Sequence, residues 1–191
     1  KDTSLEGSQQ KLISTASSGA ESLQSLLNDV IDLSRLEKGY EFELENAPFD
    51  LVESIRDATN FWQPQADSKG LSFLYDNGAL AELFVNADSG RIRQILNNLI
   101  SNAIKYTPSG SIVVKLTVDD RTNATPGNTV DVKIMVSDSG IGISDKDQLR
   151  LFQEFSQVGE NRTGEVGGSG LGLAICRSLA GKMHGELAVI S

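Results

Sequence analysis

One stretch limits the folds open to this chain: residues Arg91 to Tyr106, reading Arg-Ile-Arg-Gln-Ile-Leu-Asn-Asn-Leu-Ile-Ser-Asn-Ala-Ile-Lys-Tyr. At the helical period it sorts into two faces. Ile92, Ile95, Leu96, Leu99 and Ala103 gather on one side, which is predicted to pack on a sheet. Arg91, Asn98, Asn102 and Lys105 gather on the other, with Tyr106 at its edge. A face turned only to water more usually carries Glu and Lys pairs. This one carries two amides a turn apart, then a cation and a ring. An amide oxygen is a hard ligand of the kind Mg²⁺ accepts. An ammonium is a point charge for phosphate, and a ring can stack on a base. The helix alone does not decide between such a site and an ordinary solvated face.

Composition sets the bounds. The 191 residues suit one α/β domain and a little more. With 39% hydrophobic and 23% charged residues, the chain reads as globular. No apolar run reaches the length of a membrane span and no signal peptide opens the sequence, so this stretch itself is not expected to contact a membrane; its expected compartment is cytoplasmic, whether or not the parent protein is membrane-anchored. A formal charge of −9 argues against a nucleic-acid partner. An anionic ligand would need a local cation or a metal ion. The single Cys176 excludes an internal disulfide. The chain starts at Lys1 and ends at Ser191 in what reads as a strand, so both ends are expected to be cut from something longer.

Residues 1–11 are polar. From Leu12 to about Glu37, the positions Leu12, Ala16, Gly19, Leu23, Leu26, Val30 and Leu33 step by four and three. That heptad seam predicts a coiled-coil-type helix with a partner helix, ended by Gly39. Residues 40–47, with Phe42 and Leu44 alternating, predict an edge strand. Asp50 and Glu53 have capping-box spacing, and the helix they start should kink or break near Gln63, before Pro64. Leu71–Tyr75 and Leu83–Val85 read as strands, and Asp88 can cap the central helix. Ser111–Val118 and Val130–Val136 alternate as strands around a long loop, Asp119–Thr129.

Three further boxes follow. The Val130–Val136 strand runs into Asp138-Ser-Gly140-Ile-Gly142, a carboxylate at a strand end with glycines that admit a ligand to the backbone. Leu151–Phe155 places Phe152 and Phe155 three apart on a short helix. Ser156–Val166 is polar, and the stretch 156–168 is expected to open easily. Gly167-Gly168-Ser169-Gly170-Leu171-Gly172-Leu173 then opens an apolar helix, Leu171 to Met183, whose free N–H groups make a phosphate seat. It is neither a dinucleotide fingerprint nor a Walker loop.

The order of these boxes resembles the ATP-binding domain of sensor histidine kinases, in the wider family with type II topoisomerase and Hsp90 ATPases. The resemblance covers nearly the whole chain from about Leu12. Asn-Asn-Leu-Ile-Ser-Asn-Ala-Ile-Lys-Tyr-Thr resembles the N box, Asp138, Gly140 and Gly142 the G1 box, Phe152 and Phe155 the F box, and Gly168, Gly170 and Gly172 the G2 box. It implies an α+β fold: a two-layer sandwich with a mixed sheet covered on one face by helices. It implies a catalytic domain over 40–191, after a remnant of the dimerisation hairpin over 1–39. Phe-Ser-Gln-Val at 155–158 resembles the hybrid class, which carries its own receiver.

The implied ligands are ATP and Mg²⁺. Asn102 would hold the metal, Lys105 would touch phosphate, and Tyr106 would lie by the adenine. Asp138 would accept from the adenine amino group, in the turn shaped by Gly140 and Gly142. Gly168, Gly170, Leu171 and Gly172 would seat the phosphates, with 144–168 as a lid that includes Phe155 and Arg162. Asn98 stands where hydrolytic relatives carry a Glu base, which favours phosphoryl transfer over hydrolysis. The implied partners are a second copy, through the hairpin, and a receiver domain. The family's acceptor histidine is missing, since the only histidine, His184, precedes Gly185 at the end of the last helix and reads as a turn residue. The rivals are a nucleotide-sensing pseudokinase or scaffold, and an ATP-hydrolysing clamp, which would want a Glu at position 98.

Overall fold

The computed structural model describes residues 27, 31, 44–119, 130–153, 155–156 and 170–191. Leu27 and Ile31 are helical, one turn apart and exposed. The heptad seam positions, residues 40–43 and the 120–129 loop lie outside the described residues.

Strand β1 (Ala47–Asp50) leads straight into helix α1 (Leu51–Ser68), followed by β2 (Ser72–Asp76) and β3 (Phe84–Ala87). Asp50 joins three of these pieces. Its Oδ1 accepts the N–H of Val52 at 3.0 Å and that of Leu83 at 2.9 Å. One carboxylate thus caps α1 and anchors the chain entering β3, which pairs antiparallel with β1. Asp50→Ala should cost about 2 kcal/mol, the upper end for a lost cap, because two donors lose their acceptor. Urea unfolding should show a lower midpoint with an unchanged slope; an unchanged midpoint would remove Asp50 from this role.

Asp88 caps α2 (Ser89–Tyr106) through the N–H of Arg91 at 3.0 Å. Strands β4 (Ser111–Asp119) and β5 (Asp131–Asp138) follow, then one helical turn, α3 (Asp145–Gln148), and helix α4 (Gly172–Lys182). The three-stranded sheet runs β2-β4-β5, with β2 parallel and β5 antiparallel to β4. Period-2 alternation turns Ile112, Val114 and Leu116 of β4 inward, all fully buried. They meet Val52, Ile55 and Ala58 of α1 and Leu96, Ile100, Ala103 and Ile104 of α2. On the other sheet face Leu74 and Met135 are exposed. There Asp76 pairs with Lys115 at 3.0 Å, and the N–H of Gly78 followed by that ammonium holds its carboxyl below the usual range. The architecture is therefore the expected α+β sandwich with a mixed sheet and helices on one face.

Five details differ from the sequence reading. Helix α1 continues unbroken through Pro64. The carbonyl that loses its partner belongs to Asn60, which is exposed, so water can satisfy it. The first strand is Ala47–Asp50, while residues 44–46 are irregular; Phe49 supplies the core contact and β3 the ladder. The inward side of α2 is Leu96, Ile100, Ala103 and Ile104, because this helix is covered on two sides: Ile95 packs instead on Leu171, Ile175 and Leu179 of α4. The short helix falls at Asp145–Gln148, where Ser144 caps it, and residues 149–153 form turns. Residues 186–191 form no strand, since no ladder joins them to another described residue.

Candidate functional site

The site is built on the polar side of α2, where two neighbouring segments press against it. The first is the turn after β5. Ile141 donates its N–H to the Tyr106 carbonyl at 3.3 Å, which docks the turn on the end of α2. Asp138, at the end of β5, is exposed. Its Oδ1 accepts the Gly140 N–H at 2.9 Å, and the Thr107 hydroxyl donates to the same oxygen at 3.5 Å. That leaves Oδ2 without a partner among the described residues. Gly140 must be glycine: a Cβ there would run into the Tyr106 carbonyl, Asp138 Oδ1 and Thr107 Oγ1. Gly142 adopts φ +68°, the left-handed region that favours glycine.

The second segment is the start of α4. Gly172, its first residue, lies directly on the Asn98 side chain. Asn102 donates its Nδ2 to Asn98 Oδ1 at 3.0 Å. Both amides are half-buried, and the Asn102 oxygen has no partner among the described residues. Lys105 rests its ammonium 5.0 Å from the centre of the half-exposed Tyr106 ring. A base-sized apolar surface and a phosphate-sized cation therefore sit side by side. The free amide oxygen lies one turn back, roughly 6 Å along the helix axis. Arg91 is two turns from Asn98 and bonds Gln94 at 2.8 Å, so it belongs to the other end of the helix.

The F-box residues tie the chain before the glycine loop to α4. The Arg177 guanidinium lies 5.2 Å from the centre of the Phe152 ring. Phe155 is exposed at φ +56°, and its backbone abuts Gly170, itself at φ +69°, so a Cβ at 170 would collide with it. Arg162, Gly168 and nearly all of the predicted lid lie outside the described residues. His184 follows α4 in a turn at φ +60°, exposed.

Residues 87–191 match the family described as "Histidine kinase-, DNA gyrase B-, and HSP90-like ATPase". The chain belongs to this ATPase family. Within it, the similarity lies with sensor histidine kinases. The chain is 38% identical over 182 residues to the sensor protein GacS of Pseudomonas syringae pv. syringae, covering 94% of this chain and 19% of that one. It is 37% identical over 192 residues to the autoinducer 2 sensor kinase/phosphatase LuxQ of Vibrio cholerae, covering 100% and 22%. The chain thus spans about a fifth of these relatives. Among solved structures, full-length ShkA in complex with AMPPNP superposes with a TM-score of 0.71 at 30% identity, over 96% of this chain and 36% of that one. Histidine kinase ThkA in complex with response regulator TrrA gives 0.59 at 25% identity, over 97% and 48%. The described ATPase domain is accordingly similar to the catalytic part of sensor histidine kinases. No helix among its described residues is long and apolar enough to cross a membrane.

Thr107 also belongs to the site, although its sequence context, Thr-Pro-Ser-Gly, reads only as a turn. It is fully buried, bonds the Ala103 carbonyl from its N–H, and reaches Asp138 through its hydroxyl. Only its place directly after Tyr106 hinted at this; its burial is a property of the fold.

Proposed function

We propose that this domain binds ATP with Mg²⁺ and transfers the γ-phosphoryl group to a histidine on a dimerisation hairpin, for relay to a receiver aspartate. The observation that carries it is the face of α2, where an amide oxygen with no partner among the described residues, an ammonium and a ring lie between the Asp138 turn and the glycine start of α4. Asp138 Oδ2 accepts from the adenine amino group, and Tyr106 flanks the ring. Asn102 offers one hard oxygen, which suits a cation that keeps its other positions for water and phosphate. When bound, Mg²⁺ neutralises charge on the phosphate oxygens. Lys105 adds a point charge, and the glycine loop with Leu171 and Gly172 supplies backbone N–H groups; Gly168 and Arg162 would contribute from the lid.

The imidazole nitrogen of the acceptor forms a bond to the γ-phosphorus as the bond to the β,γ-bridging oxygen breaks and ADP leaves. Asn98 has no carboxylate with which to activate water, so ATP is kept for that nucleophile. We read residues 1–39 as the second helix of the hairpin, through which two copies would pair, and the domain as cytoplasmic. The relative solved with a response regulator supports a receiver partner.

His184 cannot be the acceptor in its own chain. It lies beyond the far end of α4, and 11 residues separate that end from the phosphate seat, roughly 16 Å at the α-helical rise. The chain alone should therefore bind ATP without labelling itself. Adding a hairpin that carries an acceptor histidine should yield acid-labile phosphate on that histidine. ATP binding without any transfer would support the sensing or scaffold reading, and phosphate on His184 would overturn the assignment of roles.

A further inference from the structure

Gly172 is an odd residue to find opening a helix. Its φ is ordinary, so no backbone conformation demands glycine, and glycine weakens a helix relative to alanine. Space explains it: a Cβ at 172 would overlap the Asn98 Nδ2 and lie about 3.0 Å from its Cγ. The Asn98 amide thus meets the first turn of α4 with its nitrogen edge. Its oxygen in turn accepts from Asn102 Nδ2 at 3.0 Å. An amide binds a metal through oxygen, because its nitrogen is a donor only. Unheld, the Asn102 amide could present either end. Held by Asn98, it presents oxygen.

We propose that Asn98 is a positioning residue that turns the Asn102 oxygen toward the metal, and that Gly172 is glycine to leave room for it. The proposal rests on the Mg²⁺·ATP reading above. It couples the phosphate seat to the metal ligand through one amide: displacing Asn98 at the helix start disorients Asn102 a turn away.

Calorimetry on the whole chain tests it. The readout is the ratio of AMPPNP Kd without Mg²⁺ to that with Mg²⁺, with adenosine binding as the metal-independent control. Asn98→Ala should lower the ratio about fivefold, the worth of one hydrogen bond, and leave adenosine affinity within about twofold. Gly172→Ala should lower the ratio too, by pushing the Asn98 amide aside. In an Asn98→Ala background Gly172→Ala should add nothing, since the new Cβ then meets no amide. An unchanged ratio in Asn98→Ala overturns the proposal, as do additive effects of the two substitutions or an equal loss of adenosine binding. A wild-type ratio of one would overturn the Mg²⁺ reading itself, and this inference with it.

Discussion

ATP should bind at least about tenfold more tightly than GTP, and Asp138→Asn should erase or invert that preference. The preference follows from which carboxylate oxygen is already in use. Oδ1 accepts the Gly140 N–H at 2.9 Å, so Oδ2 is the atom left to meet a base. It is an acceptor, suited to the adenine amino group. Guanine would bring a carbonyl oxygen to the same place, and two facing acceptors cost on the order of 1–3 kcal/mol. In Asp138→Asn, the side-chain oxygen keeps the Gly140 N–H and the new NH₂ group takes the place of Oδ2. A donor now faces the base, repelling the adenine amino group and suiting the guanine carbonyl. Calorimetry with both nucleotides checks this. Equal affinities in the wild type, or an unchanged ratio in Asp138→Asn, would take Asp138 out of base recognition.

Asn102→Ala should weaken Mg²⁺-dependent binding of AMPPNP on the order of 100-fold, since even outer partners of a metal site cost about 10- to 100-fold. Adenosine binding should change little, because Asn102 is a full turn from Tyr106 and takes no part in the Asp138 turn. The substitution also frees Asn98 Oδ1, which is only half-buried and can turn to water. Equal losses for both ligands would mean that Asn102 merely holds α2 against α4.

The existence of α2, its polar side and the turn chemistry around Asp138 were legible in sequence because each is local. A 3.6-residue period needs no partner, and neither does a Gly-rich turn at a strand end. What depended on neighbours was not. Hydrophobicity marked Ile95 as inward but could not show that α2 is covered by α4 on one side and by the sheet on another. That is why Ile100 and Ile104, both buried, escaped while Ile95 was assigned to the sheet. Asn97 and Asn98 are identical by composition. Only the fold separates them: Asn97 accepts from the Trp62 indole at 2.9 Å and fastens α1 to α2, while Asn98 meets Asn102. The glycine loop read as a phosphate seat, yet Gly170 is fitted to the Phe155 backbone and Gly172 to Asn98. Those contacts join residues far apart in the chain. Strand β1 was lost for a similar reason, since four residues containing Pro48 carry little pattern without the β3 ladder.

The most direct test of the account is a crystal structure of this chain with AMPPNP and Mn²⁺, the metal located by its anomalous signal. The account places the ion about 2.0–2.3 Å from Asn102 Oδ1, the range for a hard cation on an oxygen ligand, and the adenine amino group in hydrogen-bond reach of Asp138 Oδ2. An ion bound away from Asn102, or an adenine turned away from Asp138, would contradict it.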